Sequence, residues 1–292
     1  MTHVVLLPEW LDPPELTGVE YYFWDHGQPE PDDDVLNSVT IFVPPYMPSA
    51  DDVALSRRMP NLREVHALMA GVDGMTAHVP DGITVHRAVG VHDTSTAELA
   101  VGLAIASQRG IDTAVRDMAT GTWNHVRRPA LADSRVGIVG WGGVGQAIAR
   151  RLEPFEAEVV AFSRTGAGSL PVTEFDAMLP DLDIVILALP LDPAGPFMDT
   201  SRLRAMHDNS LLINVGRGGL VDTDALMVEL GRIRAALDVT DPEPLPPDHP
   251  LWHCPGLIIT PHVGGDTAAF TPRARAMIES VLRDIAADTR IT

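Results

Sequence analysis

The fold is decided by the stretch Val136-Gly-Ile-Val-Gly140-Trp-Gly-Gly-Val-Gly145-Gln-Ala-Ile-Ala-Arg-Arg-Leu152. Its first four residues are an apolar run that predicts a buried strand, and Val144–Leu152 predicts a helix that follows at once. Elsewhere in the chain, short apolar runs alternate with helical patterns at a similar spacing. Because strands that alternate with helices form parallel sheets with both faces covered, the sequence predicts the α/β class.

The turn between this strand and helix carries a G-x-G-x-x-G motif. Gly140 permits a tight turn, Gly142 lets the backbone approach a pyrophosphate, and Gly145 lets the helix pack closely on the strand. The first turn of the helix then offers free N–H groups and a partial positive charge to phosphates. In this context the motif predicts dinucleotide binding rather than a tight turn alone.

The other predicted elements cover most of the chain. Strands are predicted at the apolar, β-branched runs His3–Pro8, Val39–Pro44, Arg63–Met69, Ile83–Ala88, Glu158–Phe162, Ile184–Leu189, Leu211–Val215, Ala235–Val239 and Leu257–Thr260. Helices are predicted at Ser95–Gln108, where Ser95 and Glu98 form a capping box, and at Glu174–Leu179, Thr223–Leu230 and Pro272–Ala287.

Composition excludes several classes of protein. The chain has 292 residues, with 21 Lys and Arg against 40 Asp and Glu, and this length predicts one large domain or two ordinary ones. A net charge of −19 argues against a nucleic-acid partner or an anionic membrane, since both need clustered cations. Cys254 is the single cysteine, so no internal disulfide and no cysteine zinc site can form, and no metal site is predicted. We find no signal peptide or membrane-length apolar run, and we expect a cytoplasmic protein.

Polar residues follow three of the predicted strands. Asn214-Val-Gly-Arg217-Gly-Gly219 ends one run, Glu243 follows the next, and His262 follows the third. Because ligands bind at the carboxyl ends of strands in such sheets, we expect Arg217, Glu243 and His262 to meet near a bound dinucleotide. Each alone is typical of a solvated or structural side chain, but the three together beside a nucleotide loop predict a catalytic site.

Together these motifs resemble those of the NAD(P)-dependent D-2-hydroxyacid dehydrogenases, which include glyoxylate/hydroxypyruvate reductases and phosphoglycerate dehydrogenases. The resemblance is clearest over Ala67–Gly265, in the glycine loop and the blocks Asn214–Asp222, Asp238–Pro246 and Thr260–Gly265. It implies two doubly wound parallel-sheet domains. A Rossmann cofactor domain, residues 98–267, would be inserted in a discontinuous flavodoxin-like substrate domain made of residues 1–97 and 268–292. It also implies a homodimer built around the helix 95–108 and the arm that follows.

The resemblance implies roles for these residues in hydride transfer between NAD(P)H and a small 2-keto acid, which becomes a D-2-hydroxy acid. Arg217 would bind the substrate carboxylate and polarise the keto oxygen. Protonated His262 would donate the proton, and Glu243 would orient the imidazole and favour its charged form. Backbone N–H groups of the loop Ala70-Gly71-Val72-Asp73 would also hold the substrate carboxylate.

Cofactor choice is predicted from the residues after the second strand of the cofactor domain. An acidic residue that binds the ribose hydroxyls of NAD is expected there, but the sequence has Ser163-Arg164-Thr165. Hydroxyls with an arginine suit a 2′-phosphate, so NADP is predicted to be preferred to NAD. The predicted cofactor-binding residues are Gly140, Trp141, Gly142, Gly143, Val144, Gly145, Ser163, Arg164, Thr165, Leu189, Pro190, Val215, Gly216, Asp238, His262 and Gly264.

Two questions stay open from the sequence. The alternative function is a nucleotide-sensing binding protein or scaffold of the same fold with little turnover. Formate dehydrogenases resemble the same fold but pair the histidine with a glutamine, whereas this chain has Glu243. The particular 2-keto acid is not predicted, because it depends on a pocket expected near Tyr46, Met47, Met69 and His92.

Overall fold

The computed structural model describes residues 2–72 and 74–288. The chain forms two compact units, one made of Met1–His92 with Ala268–Thr292 and the other of Asp93–Thr267. The second unit begins at Asp93 rather than at residue 98, because the helix that starts there packs its buried face on the sheet of that unit. Among the described residues, no helix is both long and apolar enough to cross a membrane.

Over the described residues, the elements are numbered in chain order. The strands are β1 His3–Leu7, β2 Val19–Phe23, β3 Ile41–Phe42, β4 Glu64–His66, β5 Thr84–His86, β6 Arg135–Val139, β7 Glu158–Ser163, β8 Leu170–Pro171, β9 Ile184–Leu187, β10 Leu211–Asn214, β11 Arg234–Leu237 and β12 Leu257–Ile259. The helices are α1 Asp33–Ser38, α2 Ala50–Ala54, α3 Asp93–Arg109, α4 Ile111–Met118, α5 Gly143–Leu152, α6 Phe175–Met178, α7 Thr200–Ala205, α8 Thr223–Glu229 and α9 Phe270–Asp288.

The first unit is built on a sheet of order β2-β1-β3-β4-β5 in which every neighbouring pair is parallel. This is the strand order of flavodoxin-like doubly wound folds. Phe270 and Ile278 of α9 belong to the apolar cluster on one face of the sheet, together with Ile41. A second cluster, which includes Phe42 and Val65, covers the opposite face. The helix α9 therefore returns the end of the described chain to this unit.

The second unit has a parallel sheet of order β8-β7-β6-β9-β10-β11-β12. Counted from β6, its first six strands follow the Rossmann order 3-2-1-4-5-6. The order reverses between β6 and β9, and ligands in such sheets bind at the carboxyl ends around that point. Two apolar clusters, one on each face, form the core. The prediction of two doubly wound parallel sheets is confirmed.

Some local predictions were wrong. The edge strand β2 was not predicted, because its Val19–Phe23 sequence is half-exposed and lacks a continuous apolar run. The capping box at Ser95 does not exist, since α3 begins two residues earlier and the Ser95 hydroxyl lies 2.8 Å from that of Thr267. The predicted helix Glu174–Leu179 is a short 3₁₀ turn followed by the single turn of α6.

Candidate active site

The glycine loop has the packing that a dinucleotide site requires. Gly140 has φ +108°, and a Cβ on it would overlap the carbonyl of Ala188 after β9. A Cβ on Gly145 would overlap the carbonyl oxygen of Gly140, whereas a Cβ on Gly142 would meet nothing within 4 Å. The loop therefore holds α5 close to the sheet and keeps open space beside Gly142.

The rest of this loop is defined by Trp141 and by a residue that the sequence analysis missed. The indole of Trp141 lies against Gly168 in the loop after β7. The backbone carbonyl of Trp141 accepts a hydrogen bond from the side-chain amide of Gln146. A Cβ on Gly143 would overlap the carboxylate of Asp93, so this acidic group stands at the first turn of α5. Val144 packs against the apolar cluster beneath.

The residues after β7 form a tight turn. The hydroxyl of Ser163 accepts from the N–H of Gly166 at 3.1 Å and lies 2.8 Å from the hydroxyl of Ser169. Thr165 is exposed, and Arg164 is exposed with no hydrogen bond or ion pair to any described residue. No acidic residue follows this strand before Glu174. The guanidinium of Arg164 is thus available to an anion.

The loops after β9 and β10 are packed together. A Cβ on Gly216 would come within 2.8 Å of the Leu189 carbonyl oxygen, so these backbones touch. Asn214, fully buried, accepts from the N–H of Gly216 at 3.1 Å and donates to the carbonyl of Arg217 at 2.8 Å. Val215 is buried and Pro190 is exposed. Asn214 therefore holds the loop that bears Arg217, a role that was not predicted from the sequence although Asn214 begins the motif quoted there.

Arg217 lies on this loop. Its Nη1 donates to the carbonyl of Gly216 at 2.7 Å, which folds the side chain back on its own loop. A Cβ on Gly218 would overlap the carbonyl of Thr240 after β11, so the loop that bears Arg217 packs directly on the next one. Only a glycine permits this approach, and the sequence supplies one.

Asp238 organises the segment that bears His262. The residue is 3% exposed. Its carboxylate accepts from the Thr260 hydroxyl at 2.6 Å, the N–H of Val263 at 3.0 Å and the N–H of Gly264 at 2.9 Å. The carbonyl of Asp238 also accepts from the N–H of His262 at 2.8 Å. A buried carboxylate that accepts three hydrogen bonds is held rigidly. The contacts of Asp238 therefore position the segment that bears His262.

His262 and Glu243 form a pair at the edge of the sheet. Nδ1 of His262 lies 2.5 Å from Oε1 of Glu243, and both side chains are partly exposed. His262 has φ +53°, in the left-handed region that costs a non-glycine residue on the order of 1 kcal/mol. The anchoring by Asp238 holds the residue in this conformation. A carboxylate fixes the ring and leaves Nε2 as the outward nitrogen, which is the arrangement of a positioned acid or base.

The predicted substrate loop lies in the first unit. Ala70 is exposed, Gly71 and Val72 are partly exposed, and Asp73 lies outside the described residues. Gly71 and Val72 line a cavity of about 220 Å³ together with Met69, Val53 and Met75. Ser49 and His78 also line this cavity, which lies beside the predicted substrate loop.

The residues present fit a dinucleotide cofactor. Space beside Gly142, the helix N-terminus behind it and the open turn after β7 are the features such a molecule needs. The Asp93 carboxylate is the one group among these that opposes a phosphate. Fold and site together define a nicotinamide-dependent oxidoreductase.

Comparison with known proteins identifies the family. The model of the D-isomer specific 2-hydroxyacid dehydrogenase NAD binding domain matches residues 101–264. The glyoxylate reductase/hydroxypyruvate reductase of Mus musculus is 36% identical over 232 residues, which cover 71% of this chain and 69% of that protein. The glyoxylate reductase of Thermofilum pendens is 32% identical over 257 residues, which cover 81% of this chain and 74% of that protein.

The same family appears among solved structures. A D-isomer specific 2-hydroxyacid dehydrogenase from Xanthobacter autotrophicus Py2, in complex with NADPH and MES, matches with a TM-score of 0.79 and 29% identity. The match covers 97% of this chain and 96% of that one. The chain belongs to the D-isomer-specific 2-hydroxyacid dehydrogenases, as its motifs predicted. It is therefore an NAD(P)-dependent enzyme that interconverts 2-keto and 2-hydroxy acids.

Proposed function

We propose that the enzyme reduces a small 2-keto acid of the glyoxylate or hydroxypyruvate kind to the D-2-hydroxy acid, with His262, Glu243 and Arg217 as its catalytic residues. The observation that carries this proposal is the 2.5 Å pair of His262 and Glu243 at the strand end next to the Arg217 loop. The names of the mouse and Thermofilum relatives support this substrate class.

The chemistry follows from what each side chain can do. Bound NAD(P)H supplies the hydride that reduces the keto carbon. Arg217 presents a planar cation that binds the substrate carboxylate and stabilises the negative charge on the keto oxygen. Nε2 of protonated His262 gives its proton to that oxygen, and the ring becomes neutral. Glu243 accepts from Nδ1 throughout, so it holds the ring in position.

A small substrate is supported by the first unit. The N–H groups of Ala70, Gly71 and Val72 would hold the carboxylate in a backbone nest. The cavity of about 220 Å³ beside them has Met69 and Met75 in its wall. It suits a short substituent on the keto acid.

We also propose that NADPH is preferred to NADH. Arg164 would pair with the 2′-phosphate, and Ser163 keeps a hydroxyl proton for it when Ser169 donates in their mutual hydrogen bond. The Xanthobacter relative holds NADPH. The remaining cofactor-binding residues proposed are those of the glycine loop, with Leu189, Pro190, Val215, Gly216, Asp238 and Gly264 at the other strand ends.

A homodimer and a cytoplasmic location complete the proposal. Ile111, Val115 and Met118 repeat at helical spacing on α4 and are all exposed, and Trp123 beyond the helix is 95% exposed. An exposed apolar face of this kind is typical of a subunit interface, and a second copy of the chain supplies the matching surface. Sedimentation should give twice the chain mass, and a monomer mass would contradict the dimer. The single, unpaired cysteine supports a reducing compartment.

One experiment tests the function. Purified enzyme is assayed with glyoxylate, hydroxypyruvate, pyruvate and bulkier 2-keto acids, each with NADH and with NADPH, by loss of nicotinamide absorbance. We expect the highest kcat/KM for glyoxylate or hydroxypyruvate with NADPH. Preference for bulky keto acids would overturn the substrate class. Cofactor binding without turnover on any of them would favour the sensor or scaffold instead.

A further inference from the structure

Two histidines and a glutamate meet on one face of the sheet in the first unit. Glu64 and His66 are two residues apart on β4, so they share a face, and His86 lies opposite His66 in the register of β4 with β5. Nε2 of His66 lies 3.0 Å and Nε2 of His86 lies 3.1 Å from the same oxygen, Oε2 of Glu64. Three potential ligand atoms therefore lie within 4.8 Å of one another.

We propose that Glu64, His66 and His86 form a binding site for one divalent transition-metal ion of the zinc type. Imidazole nitrogen and carboxylate oxygen are the donors that zinc takes in the absence of cysteine. Zinc bonds of about 2.0–2.2 Å in a tetrahedral arrangement separate neighbouring ligand atoms by roughly 3.4 Å. The observed separations of 3.0 and 3.1 Å need to widen by only a few tenths of an ångström.

The surroundings suit a bound ion. The His66 side chain is only 9% exposed, so its Nε2 faces the cluster from a buried position. Glu64 and His86 are partly exposed, at 34% and 45%, so an ion can enter and a water can complete its coordination. The ring centroids lie 4.5 Å apart and the two rings are nearly parallel, so one ring has to turn for both Nε2 atoms to face one ion. The His86 side chain is the more exposed of the two, at 45% against 9%, and is the one that would turn.

The ion would have a mechanical effect on the sheet. The strand β5 is the edge strand and pairs with β4 through three residues. An ion shared by His66 and His86 would tie these two strands together in addition to their backbone hydrogen bonds. Because a ligand that binds only the folded state stabilises it, zinc should raise the melting temperature. No metal site is predicted from the sequence, because His66 and His86 are brought together only by the register of β4 with β5.

Direct metal binding tests the proposal. Chelator-treated enzyme is titrated with Zn²⁺ by calorimetry, and Co²⁺ is added separately to record its visible absorption as a report of coordination geometry. The variants are His86→Ala, which alters an exposed side chain on the edge strand, and Glu64→Gln, which keeps the side-chain shape. The matched control is His253→Ala, another exposed histidine, in the second unit.

We expect one Zn²⁺ per chain for the wild type and for His253→Ala, and binding weaker by on the order of tenfold or more for His86→Ala and Glu64→Gln. Zinc should raise the melting temperature of the wild type and not that of His86→Ala. NAD(P)H turnover, measured without metal, should be unchanged in His86→Ala and thus show that it folds. Zinc affinity equal in the wild type and His86→Ala, or no binding by the wild type, would overturn the proposal.

Discussion

At the ends of β11 and β12, buried Asp238 fixes the segment that bears His262 through three hydrogen bonds to its carboxylate, whereas at the end of β7 Arg164 lies exposed without a partner among the described residues. Both regions are loops at the carboxyl edge of the same sheet. Proton transfer tolerates little displacement of its donor, so His262 needs a rigid support. A phosphate can be bound by a cation on a flexible side chain, so Arg164 does not need such a support.

The largest effect should come from the rigid region, on replacement of the proposed proton donor. His262→Ala should lower kcat by about 10²–10⁴-fold with the preferred 2-keto acid, because that is the usual contribution of a positioned acid or base. Steady-state assay at saturating NADPH measures it. His253→Ala, which removes an exposed histidine elsewhere in the same unit, should leave kcat within twofold or so of wild type. Near-normal turnover of His262→Ala would exclude it as the donor.

The support itself is the next target. Asp238→Asn keeps the shape of the side chain but turns its NH₂ group toward the backbone N–H of either Val263 or Gly264, so two donors face each other. This change should lower the free energy of unfolding by roughly 2–3 kcal/mol. It should also lower kcat, because His262 loses its anchor. Urea denaturation and steady-state kinetics measure the two effects.

The control for this variant is Asp248→Asn, an exposed aspartate that makes no hydrogen bond with the described residues. It should change neither quantity. If Asp238→Asn left both stability and kcat intact, the anchor interpretation would be wrong, and Asp238 would matter only through contact with the cofactor.

What could be predicted from the sequence is local or carried by short motifs. Gly140, Gly142 and Gly145 have fixed offsets, so their turn was predictable before any tertiary contact was known. The parallel sheet explains why Arg217, Glu243 and His262 could be predicted to lie near one another. Each follows a strand, and the carboxyl ends of all parallel strands lie at the same edge of the sheet. The family motifs added that the residues belong to a 2-keto acid reductase, and the comparisons confirmed the family.

What could not be predicted depends on register or on side-chain direction. The motif placed Asp238 beside the cofactor, but its three donors from the Thr260 segment appear only when β11 and β12 are paired. Asp93 reaches the glycine loop because α3 packs on α5, and no local sequence pattern predicts that contact. Likewise His66 and His86 are twenty residues apart in the chain and adjacent in the sheet. Propensity also failed at α3, where Ser95 bonds to a distant threonine instead of capping the helix.

The turn after β7 offers a smaller but selective effect. Arg164→Ala should weaken the binding of NADPH by about 1.5–3 kcal/mol, which is the range for a charged hydrogen bond. It should change the binding of NADH little, because NADH has no 2′-phosphate. The ratio of kcat/KM with the two cofactors measures the difference. Arg204→Ala, which removes an exposed arginine of α7, is the control and should leave the ratio unchanged. A wild-type enzyme that prefers NADH would end this interpretation.

The smallest expected effect concerns Asp93, whose carboxylate lies at the first turn of α5. Its carboxylate interacts favourably with the helix N-terminus in the free enzyme, and this charge opposes the arrival of an anionic pyrophosphate. Asp93→Asn should therefore tighten the binding of NADPH by about 0.3–1 kcal/mol, or roughly two- to fivefold in affinity. Quenching of protein fluorescence measures this affinity. Because the pyrophosphate is common to both cofactors, NADH should tighten equally, which separates this effect from that of Arg164. Asp248→Asn again serves as the control. Weaker binding of both cofactors by Asp93→Asn would show that the carboxylate holds the glycine loop in place rather than competing with the phosphates.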